Sequence, residues 1–185
     1  MSFIQKPITF QALSSGQLEL LDKEISQLQF SRSGVVGDGT SNARTSESSA
    51  LPYKTDVTKY LKKLAAETFH VPERQCEPSI HVARYINNQE YRPHHDSCCD
   101  STQACTEFKN NWGDRIGTLL IYMNDNFTGG HTEFPHLNLH VKPKAGMAVA
   151  WRSSDCPDWA LHAGKPVIAG MKTILTVWVR ERNTH

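Results

Sequence analysis

Residues 173–182 read TILTVWVRER, with Ile174, Thr176, Trp178 and Arg180 on one parity and Leu175, Val177 and Val179 on the other. A period of two over such a run is the pattern of a half-buried β-strand. Working back along the chain, residues 80–86, 117–123, 137–141 and 147–151 are further short runs rich in Val, Ile, Leu, Tyr and Trp. Turn residues such as Asn87-Asn88, Gly129-Gly130 and the stretch 143–146 separate most of them. Upstream of Ser79 the spacing is helical. Leu18, Leu21, Ile25 and Leu28 predict a helix over 17–28. Val57, Leu61, Leu64 and Ala65 predict another over 56–68, with Thr55 or Asp56 as N-cap. Helices first and many short strands afterwards predict an antiparallel sandwich or barrel buttressed by helices, an α+β arrangement.

Between the two helices, residues 31–49 are dense in Gly, Ser, Asn and Thr. That composition predicts a long loop, and we expect it to be mobile and to close over a substrate. The 185 residues suit one domain, with helical support and the loop over about 1–75 and the strand-rich core over about 79–182. Lys and Arg number 20 against 19 Asp and Glu, a formal charge of +1, so no charge excess points to nucleic acid or an anionic membrane. The start, MSFIQKPITF, is interrupted by Gln5, Lys6 and Pro7, and no run approaches a membrane span, so a cytoplasmic location is the expectation. Five cysteines, Cys76, Cys98, Cys99, Cys105 and Cys156, form no CxxC pair and are expected to be free thiols. A local zinc or redox role for Cys98, Cys99 and Cys105 is the alternative.

The strongest chemical signal is His94-His95-Asp96. In an extended segment His94 and Asp96 point to the same side while His95 faces away. Leu161-His162-Ala163-Gly164 supplies a candidate third ligand. Two imidazoles and one carboxylate make a facial triad suited to non-haem Fe(II), with three positions left for other ligands. A HisXAsp triplet alone is weak evidence in a chain with nine histidines. Lys172, ten residues after His162, adds a cation that could hold the distal carboxylate of a dicarboxylate cosubstrate; alone it would read as a surface charge.

With these motifs assembled, the chain resembles the prolyl 4-hydroxylase branch of the Fe(II)/2-oxoglutarate-dependent oxygenases. The resemblance runs from about residue 42 to 182. It rests on Ala43-Arg44-Thr45-Ser46, Arg84-Tyr85, Tyr91-Arg92-Pro93-His94-His95-Asp96, the run 115–124, and Gly129-Gly130-His131-Thr132-Glu133-Phe134-Pro135. It continues through Lys142-Pro143-Lys144-Ala145-Gly146 and the stretch from Leu161 to Lys172. The resemblance implies a double-stranded β-helix, jelly-roll-like, with Fe(II) held by His94, Asp96 and His162. It implies 2-oxoglutarate anchored by Lys172, supported by Tyr85 and Thr132 with Tyr122 as a further candidate, and ascorbate as reductant. Arg44 and Ser46 match the loop motif that covers the substrate in the family, and Arg115 and Trp178 match residues that line its peptide groove; unassisted, such positions would read as a surface Arg or a core Trp. Arg180 stands where peptide-binding relatives can carry His, and Lys165 where Cys is common. The activity implied is a dioxygenase that hydroxylates prolyl residues at the 4-position in a peptide or protein, using dioxygen. Hydroxylation of another residue or a small molecule, or a non-catalytic metal-binding jelly roll, are the rival readings.

Overall fold

A computed structural model describes residues 6–35, 39–40 and 42–184. In chain order its strands are β1 (Ile8–Gln11), β2 (Ser31–Arg32), β3 (Gly34–Val35), β4 (Gly39–Thr40) and β5 (Glu47–Pro52). Then come β6 (Ser79–Ile86), β7 (Tyr91–His94), β8 (Arg115–Tyr122), β9 (Thr128–Gly129) and β10 (Thr132–Phe134). The last are β11 (Leu139–Val141), β12 (Met147–Arg152), β13 (His162–Gly164), β14 (Val167–Ala169) and β15 (Met171–Arg180). Three α-helices intervene: α1 (Ser15–Ser26), α2 (Asp56–Phe69) and α3 (Gln103–Trp112).

Seven strands form a major antiparallel sheet in the order β1-β12-β8-β15-β6-β5-β2, and four form a minor sheet, β11-β10-β13-β7. Strand parity then distributes the side chains between two cores. Ile80 and Val82 of β6, Leu119 and Ile121 of β8, and Leu175, Val177 and Val179 of β15 pack with Leu21, Ile25, Leu61 and Phe69 of the helices. Their neighbours of opposite parity, Tyr85, Tyr122, Trp151 and Ile174, pack with Phe134 and Val141 of the minor sheet. The result is three layers, with the helices behind the major sheet and the minor sheet in front. This is a jelly-roll-like α+β fold.

β15 is therefore buried on both faces rather than on one: helices cover the Leu175, Val177 and Val179 side, and the minor sheet and the cavity it encloses cover the more polar side of Ile174, Thr176 and Trp178. Both predicted helices form close to their expected bounds. Ser14 caps α1 in a capping box with Gln17, and Thr55 caps α2 with Thr58.

The expectation of a long unstructured loop over 31–49 needs correcting. Residues 36–38 and 41 lie outside the described residues. Around them the chain forms β2, the small β3–β4 hairpin and the start of β5, whose Ser48 and Ser49 pair with Ala83 and Val82. Small serines carry little strand preference of their own, but register against a central strand overrides composition. α3, β1 and β5 were absent from the sequence reading.

Candidate active site

β7 and β13 pair with His162 directly opposite His94, and Asp96 follows two residues beyond. The donor atoms of His94, Asp96 and His162 all lie within 4.8 Å of one another. His94 Nε2 is 3.8 Å from Asp96 Oδ1, and His162 Nε2 is 3.8 Å from Asp96 Oδ2. The other ring nitrogen of each histidine meets a carbonyl: His94 Nδ1 donates to Arg92 O at 2.8 Å and His162 Nδ1 to Ala160 O at 3.0 Å. A carbonyl only accepts, so the proton sits on Nδ1 and the Nε2 lone pair is presented inward. Burial, followed by the neighbouring His162, pushes the His94 imidazolium well below its ordinary range. Burial alone would raise the Asp96 carboxyl. Histidines 162 and 94, Arg115 and the Thr118 hydroxyl overcome it and hold the group down to about 2. Thr118 Oγ1 donates to Asp96 Oδ2 at 2.5 Å. Two imidazoles with Nε2 turned inward and an ionised carboxylate, each oriented from behind, fit a divalent metal. His95 lies outside this set and lines the outer groove instead.

Lys172 lines the same cavity as the triad, together with Tyr85, Thr132 and Trp151. It is 2% exposed, and Nζ donates to Gly130 O at 2.6 Å. Among the described residues no carboxylate pairs with it, and burial pulls its ammonium down to about 7. A buried cation without a counter-charge is costly unless an anion joins it. Tyr122 Oη donates to Thr132 Oγ1 at 2.6 Å, which ties these two candidates together on the cavity wall. The Lys172 ammonium lies 5.4 Å from the Tyr85 ring centre and 5.6 Å from that of Tyr122.

The outer groove beside the triad is lined by Arg44, His81, Tyr91, His95, Arg115 and Trp178, among others. Arg44 and Ser46 are already packed: Arg44 is 7% exposed, Ser46 is fully buried, and Arg44 Nε donates to Ser46 Oγ at 3.2 Å. A terminal nitrogen of Arg44 also donates to His81 Nε2 at 2.6 Å, and its guanidinium sits 4.9 Å from the Tyr91 ring centre. These contacts pack Arg44 against its own chain at the edge of the groove. Arg115 stacks 3.5 Å over the Trp178 ring while its Nε donates to Glu77 Oε1 at 2.8 Å. Arg180 donates to the same oxygen at 2.8 Å. His81 and Glu77 went unread in the sequence. His81 shares parity with Ala83 and Tyr85 on β6, and that signal could have placed it on the site face.

The cysteines depart most clearly from expectation. Cys98 is bonded to Cys105 and Cys99 to Cys156, leaving Cys76 buried and free. The spacings that ruled out a CxxC pair were uninformative, because α3 folds back on 98–99 and the loop carrying Cys156 is distant in sequence. Ser97, between Asp96 and Cys98, is pinned through its hydroxyl to the Arg115 and Ser153 carbonyls.

This fold and donor set define a class, and comparison with known proteins agrees. The model of the 2OG-Fe(II) oxygenase superfamily matches residues 80–180, so the chain belongs to that family. Within it, the chain is similar to prolyl 4-hydroxylases. It is 41% identical over 155 residues, 81% of its length, to "Putative prolyl 4-hydroxylase" of Acanthamoeba polyphaga mimivirus. It is 38% identical over 108 residues, 56% of its length, to prolyl 4-hydroxylase subunit alpha-1 of Homo sapiens. The chain spans 64% of the mimivirus protein and 20% of the human subunit. Among solved structures it resembles a viral collagen prolyl hydroxylase from Paramecium Bursaria Chlorella virus-1 in its 2OG complex. The TM-score there is 0.72 at 25% identity, over 95% of this chain and 96% of that one. No helix among the described residues is long and apolar enough to cross a membrane.

Proposed function

We propose that this chain is a single Fe(II)- and 2-oxoglutarate-dependent dioxygenase domain over 1–185 that hydroxylates prolyl residues, at the 4-position, in a peptide or protein. His94, Asp96 and His162 hold the iron, and Lys172 receives the distal carboxylate of 2-oxoglutarate. The observation that carries this reading is one cavity lined both by a metal-competent triad and by a buried ammonium that has no carboxylate partner among the described residues. When bound, iron and 2-oxoglutarate supply the oxidising chemistry with dioxygen, releasing succinate and carbon dioxide. The protein's part is orientation. Carbonyls of Arg92 and Ala160 fix both imidazoles, Thr118 fixes Asp96, and Tyr122 with Thr132 shapes the cosubstrate end.

The outer groove supports a polypeptide substrate. Trp178 Nε1 is a buried donor that finds no acceptor within the described residues, and Arg44 and Arg115 line the same groove, with Ser46 behind Arg44 as its partner. Backbone carbonyls of an extended peptide would satisfy such donors. Ascorbate serves as reductant in this proposal. The cytoplasmic location expected from the sequence agrees only with the reduced cysteines; the disulfide-bonded form belongs to an oxidising compartment.

Mass spectrometry of proline-rich peptides incubated with the protein, iron, 2-oxoglutarate and ascorbate tests the reading. A one-oxygen mass gain on proline, absent in His94→Ala, is the expected result. Succinate release with no peptide oxidised would move the substrate to another residue or a small molecule, and no succinate at all would leave only a metal-binding module.

A further inference from the structure

A second convergent donor set lies on the β10–β11 hairpin and shares no residue with the triad. His131 immediately precedes β10 and Glu133 lies within it, two positions apart. Thr132 and Phe134, of the opposite parity, are 2% and 0% exposed and face the interior. His131 and Glu133 therefore share the outer face. Across the hairpin, His140 of β11 stands in direct register with Glu133. Its Nδ1 lies 3.2 Å from His131 Nε2 and 3.7 Å from Glu133 Oε1. The donor atoms of all three residues fall within 4.8 Å of one another.

These separations can be compared with what a metal requires. Bonds of about 2.0–2.1 Å in a tetrahedral shell place neighbouring donors roughly 3.3 Å apart. The separations of 3.2 and 3.7 Å bracket that figure. Two imidazoles and one carboxylate suit zinc and its neighbours in the divalent series, and solvent would supply the fourth position. His140 is 52% exposed at its side chain, so an ion has a path in. The alternative is a histidine–histidine hydrogen bond beside an ordinary ion pair, since Lys165 Nζ sits 3.2 Å from Glu133 Oε2. Lys165 engages the oxygen that faces away from His140, however, and its side chain is 42% exposed and free to turn outward.

We propose that His131, Glu133 and His140 form a second divalent-metal site, of zinc class, on the outer face of the minor sheet. An ion there staples β10 to β11. β10 carries Thr132 of the cavity wall and pairs with β13, the strand that begins at His162.

Zinc titration of the full chain by calorimetry, in an Asp96→Ala/His162→Ala background that removes the first donor set, isolates the second one. One zinc per chain is expected to remain, and His140→Gln or Glu133→Gln is expected to weaken it at least about tenfold. Cobalt(II) in the same background should give the intense visible absorption of a four-coordinate ion, lost with His140→Gln. Unchanged thermal melts in zinc-free buffer show that these exposed-face variants fold. No zinc bound in the double-variant background, or binding indifferent to His140→Gln and Glu133→Gln, overturns the proposal.

Discussion

Lys172 concentrates the electrostatics of the candidate site. Its charge is buried, its pKa is depressed to about 7 by burial, and a backbone carbonyl is its hydrogen-bond partner. A bound dicarboxylate favours the protonated form and raises the pKa in the complex, so binding takes up a proton above pH 7. The affinity for 2-oxoglutarate should then be greatest below pH 7 and fall by up to about tenfold per pH unit above it. Lys172→Ala should weaken 2-oxoglutarate at least about tenfold, remove that pH dependence and leave iron affinity nearly unchanged. Calorimetric titrations across pH decide it; an affinity indifferent to both pH and the substitution would displace Lys172 from the role. The adjacent histidines offer a second contrast. His94 presents Nε2 to Asp96, whereas His95 lines the outer groove. His94→Ala should abolish turnover, and His95→Ala should leave iron binding within a few-fold of the parent. Loss of iron from His95→Ala would show the register of β7 to be wrong. At this scale the sequence was most legible, because period-two geometry and donor chemistry are local properties. Glu77 and His81 escaped because their importance lies in partners about 40 residues away, Arg115 and Arg44.

Secondary-structure elements were legible where their apolar period was long and obscured where a neighbour supplied the cause. α2 carries its own stripe and cap, so its bounds could be read directly. α3 buries only Cys105 among its residues, leaving little periodic signal. β5 contains Ser48, Ser49 and Pro52, and it exists because β6 offers it a ladder. The contact between α2 and β8 is similarly invisible from either element alone. A Cβ added to Gly117 of β8 would lie 2.7 Å from the Phe69 ring, which is 1% exposed at the end of α2. The ring needs the empty side of that glycine. Gly117→Ala should cost about 1–3 kcal/mol through overpacking. Adding Phe69→Leu should recover part of the loss, giving a non-additive cycle in chemical denaturation. Strictly additive losses would mean that the helix and the sheet do not meet through this pair.

Across the whole molecule, the candidate site is assembled from segments distant in sequence, and the disulfides bear on how those segments stay together. Cys99 follows Asp96 by three residues and Cys156 precedes His162 by six, so their bond joins the two stretches that carry the triad. Cys98–Cys105 instead fastens α3 to the same stretch over a separation of 7 residues, against 57 for Cys99–Cys156. Closing a loop in the unfolded chain removes more entropy when the loop is long. The chain-entropy estimate is about 4 kcal/mol for the longer loop and about 2.5 kcal/mol for the shorter. For a chain of this length each kcal/mol moves Tm by about 2–4 °C. Cys156→Ser should therefore lower Tm by roughly 8–16 °C and Cys105→Ser by roughly 5–10 °C. Only the former should also weaken iron, because it frees the Asp96 segment from the loop leading to His162. Reduction of the parent protein with dithiothreitol should reproduce both effects, while Cys76→Ser tests whether the response is specific to bonded cysteines. Calorimetric melts and iron titrations of the oxidised variants supply the comparison. If Cys105→Ser weakened iron as much as Cys156→Ser did, the disulfides would act through general stability and not through the link between the two ligand-bearing segments.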